Sequence, residues 1–263
     1  MLATQRRMKA AMTMQDKRVA LVTGANKGTG LQIAKDLAGH GLVVLVGSRN
    51  FANGLTAAKS VGEGAHAIQL DVTDQASITA AAERIQKEFG RLDVLVNNAG
   101  IAFAGKPGVP FEERLKSNIP SSASIDDVRR IYETNVFGVM AVTQAMLPLL
   151  REAPAARIVN MGSSSGSLTL NSNPDHKHRQ MFGAAYSPSK TALHAISLAF
   201  AIELEKTNIK VNIACPGFTA TDLNNFRGTR TVEQGAREAV RLALIGPDGP
   251  TGTLSDDDGP VPW

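Results

Sequence analysis

From Lys17 onward, short unbroken apolar runs alternate with helical patterns, and few folds accommodate that alternation. Val19–Val22 is the first run; residues 42–46, 65–70 and 92–96 follow, then Arg157–Met161 and Lys210–Ala214. A strand that is apolar at nearly every position must be covered on both faces, as in a parallel sheet with crossover helices above and below it. Residues 31–38 and 78–89 have helical spacing, the second closed by Gly90, and a long apolar helical pattern runs over 131–150. Thr231 and Gln234 have capping-box spacing ahead of a helix that runs to about Leu244. The pattern predicts one α/β domain over residues 17–263, built on a doubly wound, Rossmann-type parallel sheet.

Charge distribution narrows what such a domain binds. Of 28 basic and 24 acidic side chains, residues 1–18 hold Arg6, Arg7, Lys9, Lys17 and Arg18 against Asp16 alone, which leaves the rest of the chain neutral. A nucleic-acid binder carries a basic face on its folded body, so nucleic acid is set aside as a partner. Residues 1–16 lack the apolar stretch of a secretory signal and read as a basic, disordered extension. No apolar run reaches the length of a membrane span. Cys215 is the one cysteine, which excludes an internal disulfide and fits a reducing, cytoplasmic setting.

Thr23-Gly24-Ala25-Asn26-Lys27-Gly28-Thr29-Gly30 joins the first strand to the first helix. Glycines at such a turn let the backbone approach a pyrophosphate, which then rests on the amides at the helix N-terminus. An NAD site places an acid at the end of the second strand, about 20 residues past the glycines. This chain has Gly47-Ser48-Arg49-Asn50 there, and the first acid after it is Glu63. Arg49 and Lys27 are therefore expected to pair with a 2′-phosphate, which makes NADP(H) the favoured cofactor. Asp71 and Val72 end the third strand, and Asn97-Asn98-Ala99-Gly100 the fourth, at the same sheet edge where a ligand is expected.

Tyr186 and Lys190 sit four residues apart at the start of a helix, on one face. An adjacent ammonium stabilises a phenolate, so Lys190 is expected to lower the Tyr186 pKa and ease proton exchange with a substrate oxygen. Taken alone, the pair is as readily structural as catalytic. Ser163, just past the fifth strand, offers a hydroxyl to polarise a carbonyl, although spacing does not separate it from Ser164 or Ser165. Asn135 is a polar amide inside an apolar helical pattern; it fits either a satisfied core amide or the holder of a water in a proton path.

Together these motifs resemble the ordered set of the classical short-chain dehydrogenase/reductase family, and the Asn26-Lys27 pair is similar to its carbonyl-reductase-like members. The resemblance covers about residues 17–263. It implies a general acid at Tyr186, a Lys190 that binds the nicotinamide ribose and tunes Tyr186, a Ser163 that holds the substrate oxygen, and an Asn135 that anchors a relay water. It implies a cofactor held by Gly24, Asn26, Lys27, Gly28, Thr29, Gly30, Arg49, Asp71, Val72, Asn98, Ala99 and Gly100, with Pro216, Gly217, Thr219 and Thr221 around the nicotinamide end. The activity implied is reduction of a small-molecule aldehyde or ketone, with an oxidative alcohol or steroid dehydrogenase and a non-catalytic NADP sensor as alternatives. Family members often carry serine at the position of Gly162. The 22 residues between Ser163 and Tyr186 exceed the usual spacing and include Asp175, His176 and His178, read as a solvated loop rather than a metal site. The resemblance implies that long insertions here cover a helix face other members use for dimer contacts; this one is intermediate in length, so monomer and homo-oligomer both stay open.

Overall fold

The computed structural model describes residues 17–105 and 109–263. The expected basic extension, residues 1–16, lies outside the described residues. Chain order runs β1 (Val19–Val22), α1 (Gly28–Gly39), β2 (Val43–Ser48), α2 (Phe51–Val61), β3 (Ala65–Gln69), α3 (Gln75–Phe89) and β4 (Val94–Asn97). Then come α4 (Phe111–Lys116), α5 (Ile125–Tyr132), a π-helical turn (Glu133–Phe137), α6 (Gly138–Arg151), β5 (Arg157–Met161) and α7 (Leu168–Ser172). The chain continues through α8 (Tyr186–Glu203), β6 (Lys210–Ala214), α9 (Val232–Leu244), β7 (Leu254–Asp256) and β8 (Gly259–Pro260).

Among the described residues the strands form one sheet in the order β3-β2-β1-β4-β5-β6-β7-β8, parallel except for the final β7–β8 hairpin. The chain starts in the middle, winds outward to β3, then crosses back past β1 to β4. That reversal leaves a crevice at the carboxyl ends of β1 and β4, where doubly wound sheets bind ligands. Two apolar layers explain why the strands are apolar throughout. One face packs Leu21, Leu45, Leu95 and Ile158 against Ile78, Ile85, Met146 and Leu150 of α3 and α6. The other packs Val22, Val44, Val96 and Val159 against Ile33, Leu37, Ala239 and Leu242 of α1 and α9.

Local rules set most boundaries. Asp74 caps α3 through the Ala76 N–H, and Gly90 closes it in the left-handed conformation at φ 73°. Thr231 and Gln234 form the expected reciprocal capping box on α9. The long helical pattern over 131–150 departs from expectation, because a π-helical turn interrupts it at Asn135. No helix among the described residues is long and apolar enough to cross a membrane.

Candidate active site

Two cavities open side by side at the carboxyl edge of the sheet. The first, about 450 Å³, runs from the glycine turn past Arg49, Asp71 and Val72 to Tyr186, Lys190, Pro216 and Thr221. The second, about 240 Å³, is bounded by Phe103, Asn118, Ser163, Tyr186, Phe218 and the His176/His178 pair. Tyr186 lines both and so stands at their junction.

The glycine turn is shaped as a cradle. Gly24 and Gly28 take φ of 62° and 58°, a region that side chains other than glycine rarely enter. At Gly30 a Cβ would fall 2.3 Å from Asn98 Nδ2 and 2.8 Å from the Gly24 carbonyl, so only glycine lets α1 begin there. Asn98 in turn pins the loop, donating to the carbonyls of Thr23 (2.9 Å) and Gly24 (3.2 Å). Thr23 Oγ1 accepts the N–H groups of Asn98 (3.0 Å) and Ala99 (2.9 Å). The free amides of the first turn of α1 and this side-chain-free surface fit a pyrophosphate. Arg49 lines the same cavity, exposed and without an ion-pair partner among the described residues. Lys27 lines the same cavity and pairs with Asp222, from the segment that follows β6. Gly217 and Thr219 line the second cavity rather than the first.

Around Tyr186, three elements converge. Ser163 stands beside the Tyr186 hydroxyl, where it favours the ionised phenol. Ser164 instead gives its N–H to Cys215 Sγ at 3.2 Å, and Ser165 Oγ lies 2.8 Å from Ser163 Oγ. Of the three serines, Ser163 is thus the one seated against the phenol. Lys190 Nζ donates to the Met161 carbonyl at 2.7 Å and lies 5.7 Å from the centre of the Tyr186 ring. Gly166 lets the serine loop lie flat on α8, since a Cβ there would fall 2.8 Å from Lys190.

Asn135 lies behind the cavity walls. Its side chain accepts from the Ile101 N–H (2.9 Å) and donates to the Ile101 carbonyl (2.8 Å) and to Ser189 Oγ (3.0 Å). Ser189 Oγ passes its own proton to the Tyr186 carbonyl at 2.6 Å. Asn135 thereby ties the loop after β4 to the first turn of α8.

Electrostatics correct one expectation. In the protein alone, burial outweighs the neighbouring Lys190 ammonium at Tyr186. Burial is the leading influence, and the Tyr186 pKa is pushed up to about 12. Burial also pulls Lys190 down to about 8. At neutral pH the pair is therefore a protonated phenol beside a mostly protonated amine.

Sequence reasoning passed over His194, one turn beyond Lys190. Its Nε2 faces the Ser163 N–H at 3.4 Å, and its ring meets Trp263 edge-on at 6.3 Å. A Cβ on Gly162 would fall 2.3 Å from Ile213 Cγ2 and 2.8 Å from His194 Nε2, which accounts for glycine at a position where serine is common in the family. Nothing local in the sequence couples residues 162 and 194. The His176/His178 pair, expected in a solvated loop, packs edge-on at 5.9 Å on the wall of the second cavity.

Comparison with known proteins agrees with this geometry. The short chain dehydrogenase family model matches residues 18–231. Salutaridine reductase from Papaver bracteatum is 33% identical, over 93% of this chain and 96% of the relative. The solved structure of salutaridine reductase from Papaver somniferum superposes with a TM-score of 0.76 at 31% identity, covering 90% of this chain and 99% of that one. A 3-ketoacyl-(acyl-carrier-protein) reductase from Brucella melitensis, solved with NADH, gives 0.75 at 26% identity, over 93% and 98% of the two chains. With the crevice, the glycine cradle and these relatives in one chain, the protein belongs to the short-chain dehydrogenase/reductase family of oxidoreductases, which bind a nicotinamide cofactor.

Proposed function

We propose that this protein is an NADPH-dependent reductase of aldehyde or ketone carbonyls in small molecules, with residues 17–263 as one catalytic domain. The observation that carries the reading is the seating of Ser163 and Lys190 around Tyr186 at the junction of the two cavities. Gly24, Asn26, Gly28, Thr29 and Gly30 hold the pyrophosphate, and Asp71 and Val72 the adenine. Asn98, Ala99 and Gly100 pack beside the adjoining ribose, while Pro216, Gly217, Thr219 and Thr221 border the nicotinamide end. When bound, the reduced nicotinamide supplies the hydride.

The protein's own contribution is orientation and a proton. Ser163 donates to the substrate carbonyl oxygen and polarises it. Tyr186 gives its proton to the same oxygen as negative charge develops there. The Tyr186 phenol is protonated at neutral pH, the form that a general acid needs. Lys190, oriented by the Met161 carbonyl, holds the ribose and offsets the forming phenolate. The Asn135 amide is already engaged with Ile101 and Ser189, so its part is to hold the Tyr186 turn and the backbone of the π-helical turn from which a relay water is anchored.

Cofactor choice rests on Arg49 and Lys27 and on the lack of an acid at the end of β2. A basic pair at that position recognises a 2′-phosphate, whereas NADH presents a hydroxyl. The buried lone Cys215 supports a reducing, cytoplasmic setting. The reading is tested by following NADPH and NADH oxidation side by side over aldehydes, ketones, diketones and quinones. NADPH is expected to be favoured at least tenfold in kcat/KM, and Arg49→Asp to erase that preference. Equal use of both cofactors by the unaltered enzyme would overturn the cofactor assignment.

A further inference from the structure

The chain reaches Tyr186 through an insertion that ends without regular structure, and α8 starts there with no side-chain cap of its own at Ala185. What fixes the last residues before the helix comes from far away in sequence. The Asn118 carbonyl accepts the Ala184 N–H at 2.8 Å, and Asn118 Oδ1 accepts the Ala185 N–H at 3.0 Å. One residue thus holds two successive amides 66 and 67 positions later. The fit is tight: at Gly183 a Cβ would fall 2.1 Å from Asn118 Nδ2 and 2.7 Å from its carbonyl oxygen. Asn118 also lines the second cavity with Ser163 and Tyr186.

We propose that Asn118 is a positioning residue for Tyr186: through Ala184 and Ala185 it fixes where α8 begins, and hence where the phenol meets Ser163. This rests on Tyr186 being the acid, as proposed above. The opposite side of the same turn is held by Asn135 through Ser189, so the phenol stands on a turn clamped from both ends. Losing the Oδ1 contact frees Ala185 and lets the turn swing on the Asn135 side. A displacement of about 1 Å at a reacting group is enough to cost up to a hundredfold in rate.

The test compares Asn118→Ala, Asn118→Asp and Gly183→Ala in a Tyr132→Phe background, where Tyr186 is the sole tyrosine. Ultraviolet absorbance then reports the ionisation of Tyr186 without any substrate. The parent is expected to stay protonated through about pH 11, since burial holds its pKa at about 12. Asn118→Ala and Gly183→Ala are expected to ionise closer to pH 10, as the displaced phenol regains contact with water. Their kcat for carbonyl reduction is expected to fall about ten- to a hundredfold, with the NADPH Kd within twofold of the parent. Asn118→Asp keeps both oxygens and is expected to restore the titration and most of kcat. Should Asn118→Ala fail to fold, Asn118→Ser takes its place, because the shorter hydroxyl falls short of the Ala185 amide. Parent-like titration and kcat in both disrupting variants would overturn the proposal. A parent enzyme whose turnover survives Tyr186→Phe would instead overturn the catalytic reading, and the titration would still judge the role of Asn118.

Discussion

His194 is buried beside Lys190, and both burial and that neighbouring charge pull its pKa down to about 4. The folded protein therefore keeps a neutral ring where the unfolded chain, with a pKa near 6.5, takes up a proton. Because the unfolded state binds more protons between those values, stability is full above about pH 6.5 and is lost as pH falls toward 4. The loss is expected to be on the order of 2–3 kcal/mol, read as a falling urea midpoint, and His194→Asn is expected to flatten that part of the profile. An unchanged acid limb in the variant would show that His194 is not the titrating group. Gly162 makes a sharper case. Gly162→Ser installs the residue common in the family, yet its Cβ meets Ile213 and His194, so a loss of about 1–3 kcal/mol is expected. Thermal melts check it; a stability equal to the parent would mean that His194 moves aside freely.

At the scale of elements, the parallel strands were legible because each is buried on both faces, which leaves a signature of continuous apolar residues. The glycine turn and the caps at Asp74, Gly90 and Thr231 were legible because their physics is local. The interruption of the 131–150 pattern was not, since a π-helical turn inserts one residue into a helix without altering its apolar period much. The turn carries a tertiary contact: the Asn135 side chain pairs with the backbone of Ile101, in the loop after β4. Asn135→Ala leaves the half-buried Ile101 N–H and carbonyl, and Ser189 Oγ, without this partner. A loss of about 2–3 kcal/mol is expected, together with a reduced kcat, from chemical denaturation and steady-state assays on one preparation. A fully stable Asn135→Ala would indicate that Ile101 finds other partners. Asn118, His194 and Asp222 escaped sequence reading for the same reason as the π-helical turn: each acts on residues at least 31 positions away.

Across the whole molecule, segments from both halves of the sheet close over the crevice. Lys27, in the first turn, pairs with Asp222 from the segment after β6, and Thr221 lies over Gly28. Both members of the ion pair are at least half exposed, so the pair adds little to stability. Under the proposed NADPH reading its consequence is for binding, because Asp222 would compete with the 2′-phosphate for Lys27 and repel it. Asp222→Asn is expected to tighten NADPH about three- to tenfold at low salt, less at high salt, and to leave NADH unchanged. Titration by intrinsic fluorescence of Trp263 gives both constants; equal effects on the two cofactors would dissociate the pair from phosphate recognition. The proposed reaction depends on Tyr186 as the proton donor. Its most direct test is NADPH-dependent carbonyl reduction by the parent and by Tyr186→Phe, with the NADPH Kd measured alongside. A fall of at least a hundredfold in kcat at an unchanged Kd is expected. Turnover by Tyr186→Phe within a few fold of the parent would contradict it.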